Sequence, residues 1–334
     1  MSNRISSKNA ADFHPDLTLS SGGAPSAHSS AGRNASTPRS VPPALSNLHP
    51  ASLKMSARFS HAVDRVQPQT IQNLRLSAQV VDAVEQYFPH GAGNQWPAVV
   101  HSEGESYARL HLTRGMKKEY AKQHPEMDRT FRNARLAATL QGANCGEMAD
   151  TAYTYLAATG ANAPVSRVSY QNNHEFVMLG DPRASTADTV VVDAWPHFAG
   201  ATTLKNLKLD PAGMVIKKQR FESGGSHEAQ QALSGIHPMT KAEVNQRIAA
   251  EGFPPIGPEL LKDLSESLHE AGQKMFDERT LARDPSVQYY DGANQPTAFD
   301  KTPPARMTRK LQAVADYERA VTRNPQLFGD IDTI

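Results

Sequence analysis

The feature that most constrains the fold is a change in hydrophobic period along the chain. Before residue 140 and after residue 240, apolar residues recur at steps of three and four, the spacing of helices that face a core. Between these regions, three short runs predict β-strands at Val165–Tyr170, His174–Leu179 and Thr189–Trp195. A small sheet flanked by helices on both sides in sequence predicts an α+β fold.

Proline and capping residues mark the ends of the predicted helices. Pro89 closes the first of them, and Thr240 and Glu243 have the spacing of a capping box ahead of a later one. The remaining helices are predicted at residues 57–88, 106–122 and 126–140, after Pro258 with Leu261, Leu264, Leu268 and Met275 on one face, and after Pro304.

Cys145 is the only cysteine, so no disulfide can form within the chain. A lone cysteine is either a buried apolar residue or a working thiol. Asn144 is a favourable N-cap and Gly160 a favourable C-terminal stop, which places Cys145 in the first turn of a helix. There, the unpaired backbone N–H groups and the helix dipole favour a thiolate, and the N–H of Cys145 can face a developing oxyanion. This position suits a nucleophile.

A histidine and an aspartate are expected to meet in the strands that follow. The link at residues 180–188 is turn-forming and predicts an antiparallel hairpin. The start of one strand then lies beside the end of the other, and a helix bearing Cys145 would complete a row of thiolate, imidazole and carboxylate. The predicted pairs, all on one face, are His174 with Asp193, Phe176 with Val191 and Met178 with Thr189.

The motifs around these residues resemble the transglutaminase-like superfamily, which is related to papain-like cysteine proteases. They are GANCGEMA around Cys145, NNHEFVML around His174 and VVVDAW around Asp193, with Trp195 where such proteins often carry an aromatic residue. The resemblance covers roughly residues 140–200. It implies a helix bearing the cysteine packed on a small antiparallel sheet, with helical flanks. It also implies acyl transfer at a protein amide bond, by a cysteine protease, a glutamine deamidase or a transglutaminase.

The sequence leaves open which side chain would donate a hydrogen bond to the oxyanion. Papain-like enzymes carry a glutamine several residues before the cysteine, and Gln141 lies one turn closer than that pattern requires. Gln95 and Trp96 are alternatives further upstream. The backbone N–H of Cys145 is the one donor that the predicted helix start supplies.

Other ionisable residues near the predicted site have simpler interpretations. His197 follows Asp193 too closely to replace His174 as the base. Glu147 and Asp150, on the helix of Cys145, are interpreted as solvated or capping residues. Asp193 alone would also suit a turn that ends a strand.

Residues 1–50 differ from the rest of the chain because they are rich in Ser and Pro and poor in acids. Such a segment buries too little apolar surface to offset its ordering entropy, so disorder is predicted. It resembles the N-terminal signal of a bacterial type III secreted effector, and an organellar transit peptide is the competing interpretation. The predicted organisation is this segment, a catalytic core at 51–221 and a helical C-terminal region at 222–334 that packs on the core.

Charge and motifs limit the expected partners. With 35 Lys and Arg against 34 Asp and Glu, the net charge of +1 argues against a nucleic-acid partner. No apolar run approaches the ~18 residues of a membrane-spanning helix. No motif for zinc or a nucleotide occurs, so no metal or organic cofactor is expected.

The resemblance to secreted effectors implies a host protein as substrate and a secretion chaperone as a further partner. It also implies export by a route other than Sec and action in the host cell cytoplasm. The alternative is a catalytically inert interaction module that binds a host or chaperone protein.

Overall fold

The computed structural model describes residues 62–171, 173–207, 209, 211–270, 275–276, 287–299 and 303–328. The predicted export segment at 1–50 lies outside the described residues. The helices are α1 (Pro68–Tyr87), α2 (Trp96–His101), α3 (Glu105–Gln123), α4 (Arg129–Leu140), α5 (Cys145–Thr159), α6 (Leu204–Leu207), α7 (His227–Leu233), α8 (Lys241–Ala250), α9 (Pro258–Glu270), α10 (Pro304–Arg323) and α11 (Pro325–Phe328). The strands are β1 (Val63–Arg65), β2 (Val165–Tyr170), β3 (His174–Leu179), β4 (Val190–Val192), β5 (Thr202–Thr203), β6 (Met214–Arg220) and β7 (Gln288–Tyr290).

The architecture is α+β, as predicted. Five strands form an antiparallel sheet in the order β5-β4-β3-β2-β6, and β1 pairs in parallel with β7 in a separate ribbon. Strands β2 and β3 have the predicted bounds, whereas β4 is shorter than the predicted Thr189–Trp195. The sequence did not indicate β6, because this edge strand has no regular alternation of buried and exposed residues.

The predicted register between β3 and β4 was wrong by two residues. Met178 lies opposite Val191 instead of Thr189, and Val177 lies opposite Val192. A shift of two preserves the face on which each side chain lies, so Phe176 and Met178 still share a face with Val191. Instead, the Thr189 carbonyl accepts a hydrogen bond from Leu204 N–H at the start of α6.

Helix α5 packs on one face of the sheet and is the centre of the main hydrophobic core. It contacts β2 and β3, and α1, α4 and α7 pack around it. The opposite face of the sheet is covered by a smaller cluster that joins Phe176 and Met178 to Leu204 of α6. Ser77 of α1 donates its hydroxyl to the Val191 carbonyl at 2.8 Å, which fixes β4 against that helix.

A second hydrophobic cluster is built by α2, α3 and the C-terminal helices. The capping box of Thr240 and Glu243 is confirmed at the start of α8. Helix α9 carries Leu264 and Leu268 into this cluster, whereas Met275 is not helical, so the prediction that Met275 lies on the same helix was wrong. Met275 enters the cluster from the segment beyond the helix. No helix in the described ranges is both long enough and apolar enough to cross a membrane.

Candidate functional site

Cys145 occupies the first turn of α5, as its neighbours predict. The Asn144 side chain accepts a hydrogen bond from Gly146 N–H at 3.0 Å, and the Glu147 carboxylate accepts from Asn144 N–H at 3.0 Å. These contacts belong to a capping box, which fixes the residue at which the helix begins. The thiol is therefore held at the positive end of a 15-residue helix.

His174 begins β3 and is hydrogen-bonded to Asp193, with 2.8 Å between Nε2 and Oδ2. Asp193 directly follows the last residue of β4, and the register of β3 with β4 makes it a diagonal neighbour of His174 and not its direct partner. The other carboxylate oxygen, Oδ1, accepts the backbone N–H of Trp195 at 3.1 Å. Asp193 therefore serves both as the residue that turns the chain after β4 and as the partner of the imidazole.

The imidazole of His174 also interacts with the Cys145 side chain. Burial alone would lower the pKa of His174, but the Asp193 carboxylate and the hydrogen bond and charge of Cys145 raise it to about 10. Because Nε2 faces Asp193, Nδ1 is the nitrogen left for the thiol. The exposed fractions of Cys145, His174 and Asp193 are 8%, 5% and 2%, so the three interact with little screening by water.

Trp195 covers the histidine from one side. Its ring centroid lies 5.0 Å from that of His174, and its indole N–H donates to Asn94 Oδ1 at 2.9 Å. Gln95 donates its side-chain amide to the Trp195 carbonyl at 2.6 Å. Asn94 and Gln95, consecutive residues of the loop before α2, thus hold Trp195 by its indole N–H and by its backbone carbonyl.

The residues considered as oxyanion donors have other contacts in this fold. The Gln95 amide bonds Trp195 as above, the Gln141 side chain is hydrogen-bonded to His90, and Trp96 packs edge-on against Phe328. The backbone N–H of Cys145 makes no hydrogen bond to another described residue. Among these candidates, it is the donor left available beside the sulfur.

Arg167 joins the strand beside His174 to the helix that carries Cys145. Its guanidinium donates to Asp150 Oδ1 at 2.6 Å and to Glu175 Oε2 at 2.7 Å. A Cβ placed on Gly146 would lie only 2.9 Å from that same Glu175 oxygen, so the carboxylate approaches the start of α5 closely. This connection was missed from the sequence, although an arginine between apolar strand residues is an unusual choice that signals a buried partner.

Glu147 and Asp150 are buried, so the interpretation of these residues as solvated was wrong. Glu147 is a capping residue and also pairs with Lys117. Burial raises the pKa of Asp150 to about 6, against the attraction of Arg167 and a hydrogen bond from Asn133. Both carboxylates are inside the fold and contribute to holding α5 in place.

His197 lies apart from the row formed by Cys145, His174 and Asp193. Its Nε2 pairs with the Lys310 carbonyl at 2.9 Å, so this nitrogen carries the proton. Desolvation and the nearby Lys310 cation lower the pKa of His197 to about 3, which keeps the ring neutral. Together with Trp195, the ring lines a cleft with a volume of about 270 Å³.

Within the described part of the chain, no three His, Cys, Asp or Glu side chains converge as a set of metal ligands. The chain was compared with models of protein families, with curated proteins and with solved structures, and none of the three comparisons found a match.

Proposed function

We propose that this protein is a thiol-dependent acyl-transfer enzyme that acts on protein amide bonds. Cys145 is the nucleophile, His174 the general base and acid, and Asp193 the residue that orients the imidazole. The observation that carries the proposal is the position of His174: its ring bonds the Asp193 carboxylate at 2.8 Å, and the Cys145 sulfur lies 3.9 Å from the carbonyl of the preceding residue, Asn173.

The proposed reaction proceeds through a thioester. The thiolate of Cys145 attacks the amide carbon, and the carbonyl π electrons move to oxygen. When the tetrahedral intermediate collapses, the C–N bond breaks and His174 donates the proton that the leaving amine or ammonia requires. Water or a second amine then attacks the thioester, gives up a proton to His174 and releases the thiolate. No step requires an oxidant or a reductant.

The start of α5 can stabilise the oxyanion of this intermediate. The backbone N–H of Cys145 lies in the first turn and makes no hydrogen bond to another described residue. Removal of one such donor in comparable sites costs ~10²–10³ in rate, so a well-aimed N–H contributes substantially. The positive end of the helix dipole acts in the same direction.

The resemblance around residues 140–200 leads to the finer part of the proposal. The packing of α5 on the antiparallel sheet, with the histidine at a strand start, is compatible with a core of the papain-like and transglutaminase-like type. We infer on the same basis a protease, a glutamine deamidase or a transglutaminase with a host protein as substrate. The Ser- and Pro-rich composition of residues 1–50 supports export as a type III effector.

The first experiment measures the pH dependence of Cys145 alkylation by iodoacetamide. An ordinary cysteine thiol has a pKa of about 8.5, so its alkylation slows steeply below that pH. In the proposed pair with the His174 cation the sulfur would react as a thiolate, so we expect the alkylation rate of Cys145 to be nearly constant from about pH 7 upward. Whole-protein mass reports the adduct without ambiguity, since the chain has one cysteine. His174→Ala should restore the steep profile.

The second experiment identifies the reaction. Candidate host proteins are incubated with the wild-type chain and with Cys145→Ala, and intact-mass and peptide mass spectrometry are applied. Cleavage, a gain of about one dalton at a glutamine, or a cross-link distinguishes the three outcomes of one thioester pathway.

A specific observation favours the alternative of an inert interaction module. Cys145 is only 8% exposed, as a cysteine that merely fills the core would be. If alkylation of the native protein follows the profile of an ordinary thiol and is the same in His174→Ala, the enzyme proposal is refuted and the interaction module replaces it.

A further inference from the structure

The cleft beside the site shares two walls with the proposed catalytic residues. Met148 lies one turn after Cys145 on α5, and Trp195 packs against His174. Both side chains line the cleft, together with Ala313 of α10. Cys145 and His174 are not among the lining residues, so the cleft adjoins the proposed catalytic residues through Met148 and Trp195. This cavity, the Trp195 cleft, has Met148, Trp195, Pro196, Arg309 and Ala313 among its lining residues.

The size and lining of the Trp195 cleft suit one apolar side chain. Its volume of about 270 Å³ exceeds the ~150 Å³ of a cavity that accepts benzene and is just below the ~300 Å³ at which pockets begin to hold drug-sized ligands. Its walls include Phe88, Met148, Trp195 and Ala313. Concave sites of this kind gain affinity by removing apolar surface from water.

The charges at the cleft favour an anion beside that side chain. Arg306 pairs with Asp82 at 2.6 Å and with Glu85 at 2.8 Å, and Lys310 pairs with Glu85 at 2.6 Å. Arg309 is exposed and forms no ion pair with a described residue. Its charge is therefore available to a ligand.

We propose that the Trp195 cleft is a substrate-binding site that accepts an apolar side chain adjacent to a carboxylate. The apolar group contacts Trp195 and Ala313, and the carboxylate contacts Arg309. The inference rests on the proposed function, because it assigns the cleft to the protein substrate of Cys145. Substrates with an aromatic or large aliphatic residue followed by an acidic residue near the reacting amide are thus preferred.

The test uses probes that react with Cys145 and differ only in what the cleft would recognise. N-chloroacetyl-phenylalanine and N-chloroacetyl-glycine have the same reactive carbon and the same carboxylate. The thiolate forms a bond to the CH₂ carbon as the C–Cl bond breaks and chloride leaves. Burial of a phenylalanine side chain contributes ~1.5–3 kcal/mol, so the phenylalanine probe should react about tenfold to a hundredfold faster.

Two variants assign this preference to the cleft. Ala313→Leu fills the space, so the rate ratio of the two probes should fall to near one. Arg309→Gln should remove the advantage of the phenylalanine probe over its methyl ester. Arg323→Gln is the matched control, because Arg323 is an exposed arginine on the same helix outside the cleft. All rates are divided by the rate of the same variant with chloroacetamide, which corrects for any change in the thiol.

The outcomes separate the cleft from the enzyme. A probe ratio near one in the wild-type protein, with normal His174-dependent reaction toward chloroacetamide, overturns the cleft assignment and leaves the enzyme proposal intact. Loss of His174 dependence refutes the enzyme proposal instead. In that case, binding of N-acetyl-phenylalanine to Cys145→Ala, measured by NMR, tests the cleft without the thiol. Saturable binding that Ala313→Leu abolishes supports the site, and no binding overturns it.

Discussion

The indole of Trp195 lies against the imidazole of His174, with 5.0 Å between ring centroids and 50° between ring planes. The backbone N–H of Trp195 also donates to the Asp193 carboxylate. Trp195 therefore covers the ring of His174, the proposed base, and positions the carboxylate of Asp193, which orients that ring. Its own indole N–H is held by Asn94, in the loop that precedes α2.

We expect Trp195→Ala to lower the free energy of unfolding by about 3–5 kcal/mol, because a large buried ring leaves a cavity. Trp195→Phe retains a ring but loses the bond to Asn94, and should cost about 1 kcal/mol plus a smaller packing loss. Urea unfolding measures both. Trp96→Phe is the control, since this other tryptophan packs on Phe328 and should leave the pH profile of Cys145 alkylation unchanged. A changed profile in Trp96→Phe would contradict a local role for Trp195.

Substitutions in the row of three should lower activity unequally. Cys145→Ala and His174→Ala should each abolish turnover of a confirmed substrate, and the double variant should be no worse, because the two groups act as a unit. Asp193→Asn should retain more activity, since it removes only the orienting charge. Steady-state kinetics with circular dichroism as a fold control measures this. Near wild-type turnover by Cys145→Ala would refute the enzyme.

The His174–Asp193 pair predicts a pH-dependent stability when Cys145 is removed. In Cys145→Ala, Asp193 still raises the pKa of His174 above its unfolded value of 6.5. Stabilisation by the pair is then complete below pH 6.5 and is lost as pH rises toward the folded pKa. In this window the folded state holds more protons than the unfolded state, so stability should fall by up to ~1.4 kcal/mol per pH unit.

Urea unfolding of Cys145→Ala between pH 6.5 and 9 measures this slope. Cys145→Ala with Asp193→Asn is the matched control, because the carboxamide carries no charge and the imidazole is then neutral when buried. Its stability should be nearly constant above pH 7. Equal slopes in the two variants would show that the charge of Asp193 does not hold the proton on His174.

Arg167 is expected to position α5 against β3. Arg167→Met leaves the buried Asp150 without its cation, and breaking such a pair typically costs ~3–5 kcal/mol. The pH profile of Cys145 alkylation should also shift toward that of an ordinary thiol, because Asp150 and Glu175 no longer tie the two elements together. Arg183→Met is the control: its partner Asp181 is on the surface, so stability and alkylation should be nearly unchanged. An unchanged profile in Arg167→Met would restrict this residue to a structural role.

Several elements followed from local sequence signals. The N-cap at Asn144, the capping box at Thr240 and Glu243, the bounds of β2 and β3 and the start of α9 at Pro258 were all predictable, because each depends on residues a few positions apart. Capping, proline geometry and strand alternation are short-range effects that operate before any tertiary contact forms.

Other features could not be read from neighbouring residues. The register of β3 with β4 depends on how the link at 180–188 folds. In that link Asp188 accepts hydrogen bonds from the hydroxyls of Ser185 and of Thr70 in α1. The edge strand β6 acquires its conformation by pairing with β2, about fifty residues earlier in the chain. Both depend on contacts between segments far apart in sequence, which local propensity does not encode.

The sequence by itself determined that Cys145 begins a helix and that His174 begins a strand, since period and capping are properties of the local chain. Only the tertiary structure decided that the imidazole bonds Asp193, that Arg167 joins the helix to the strand, and that a cleft opens beside Trp195. The physical reason is burial: the strength of each charge and hydrogen bond depends on which distant segments exclude water from it.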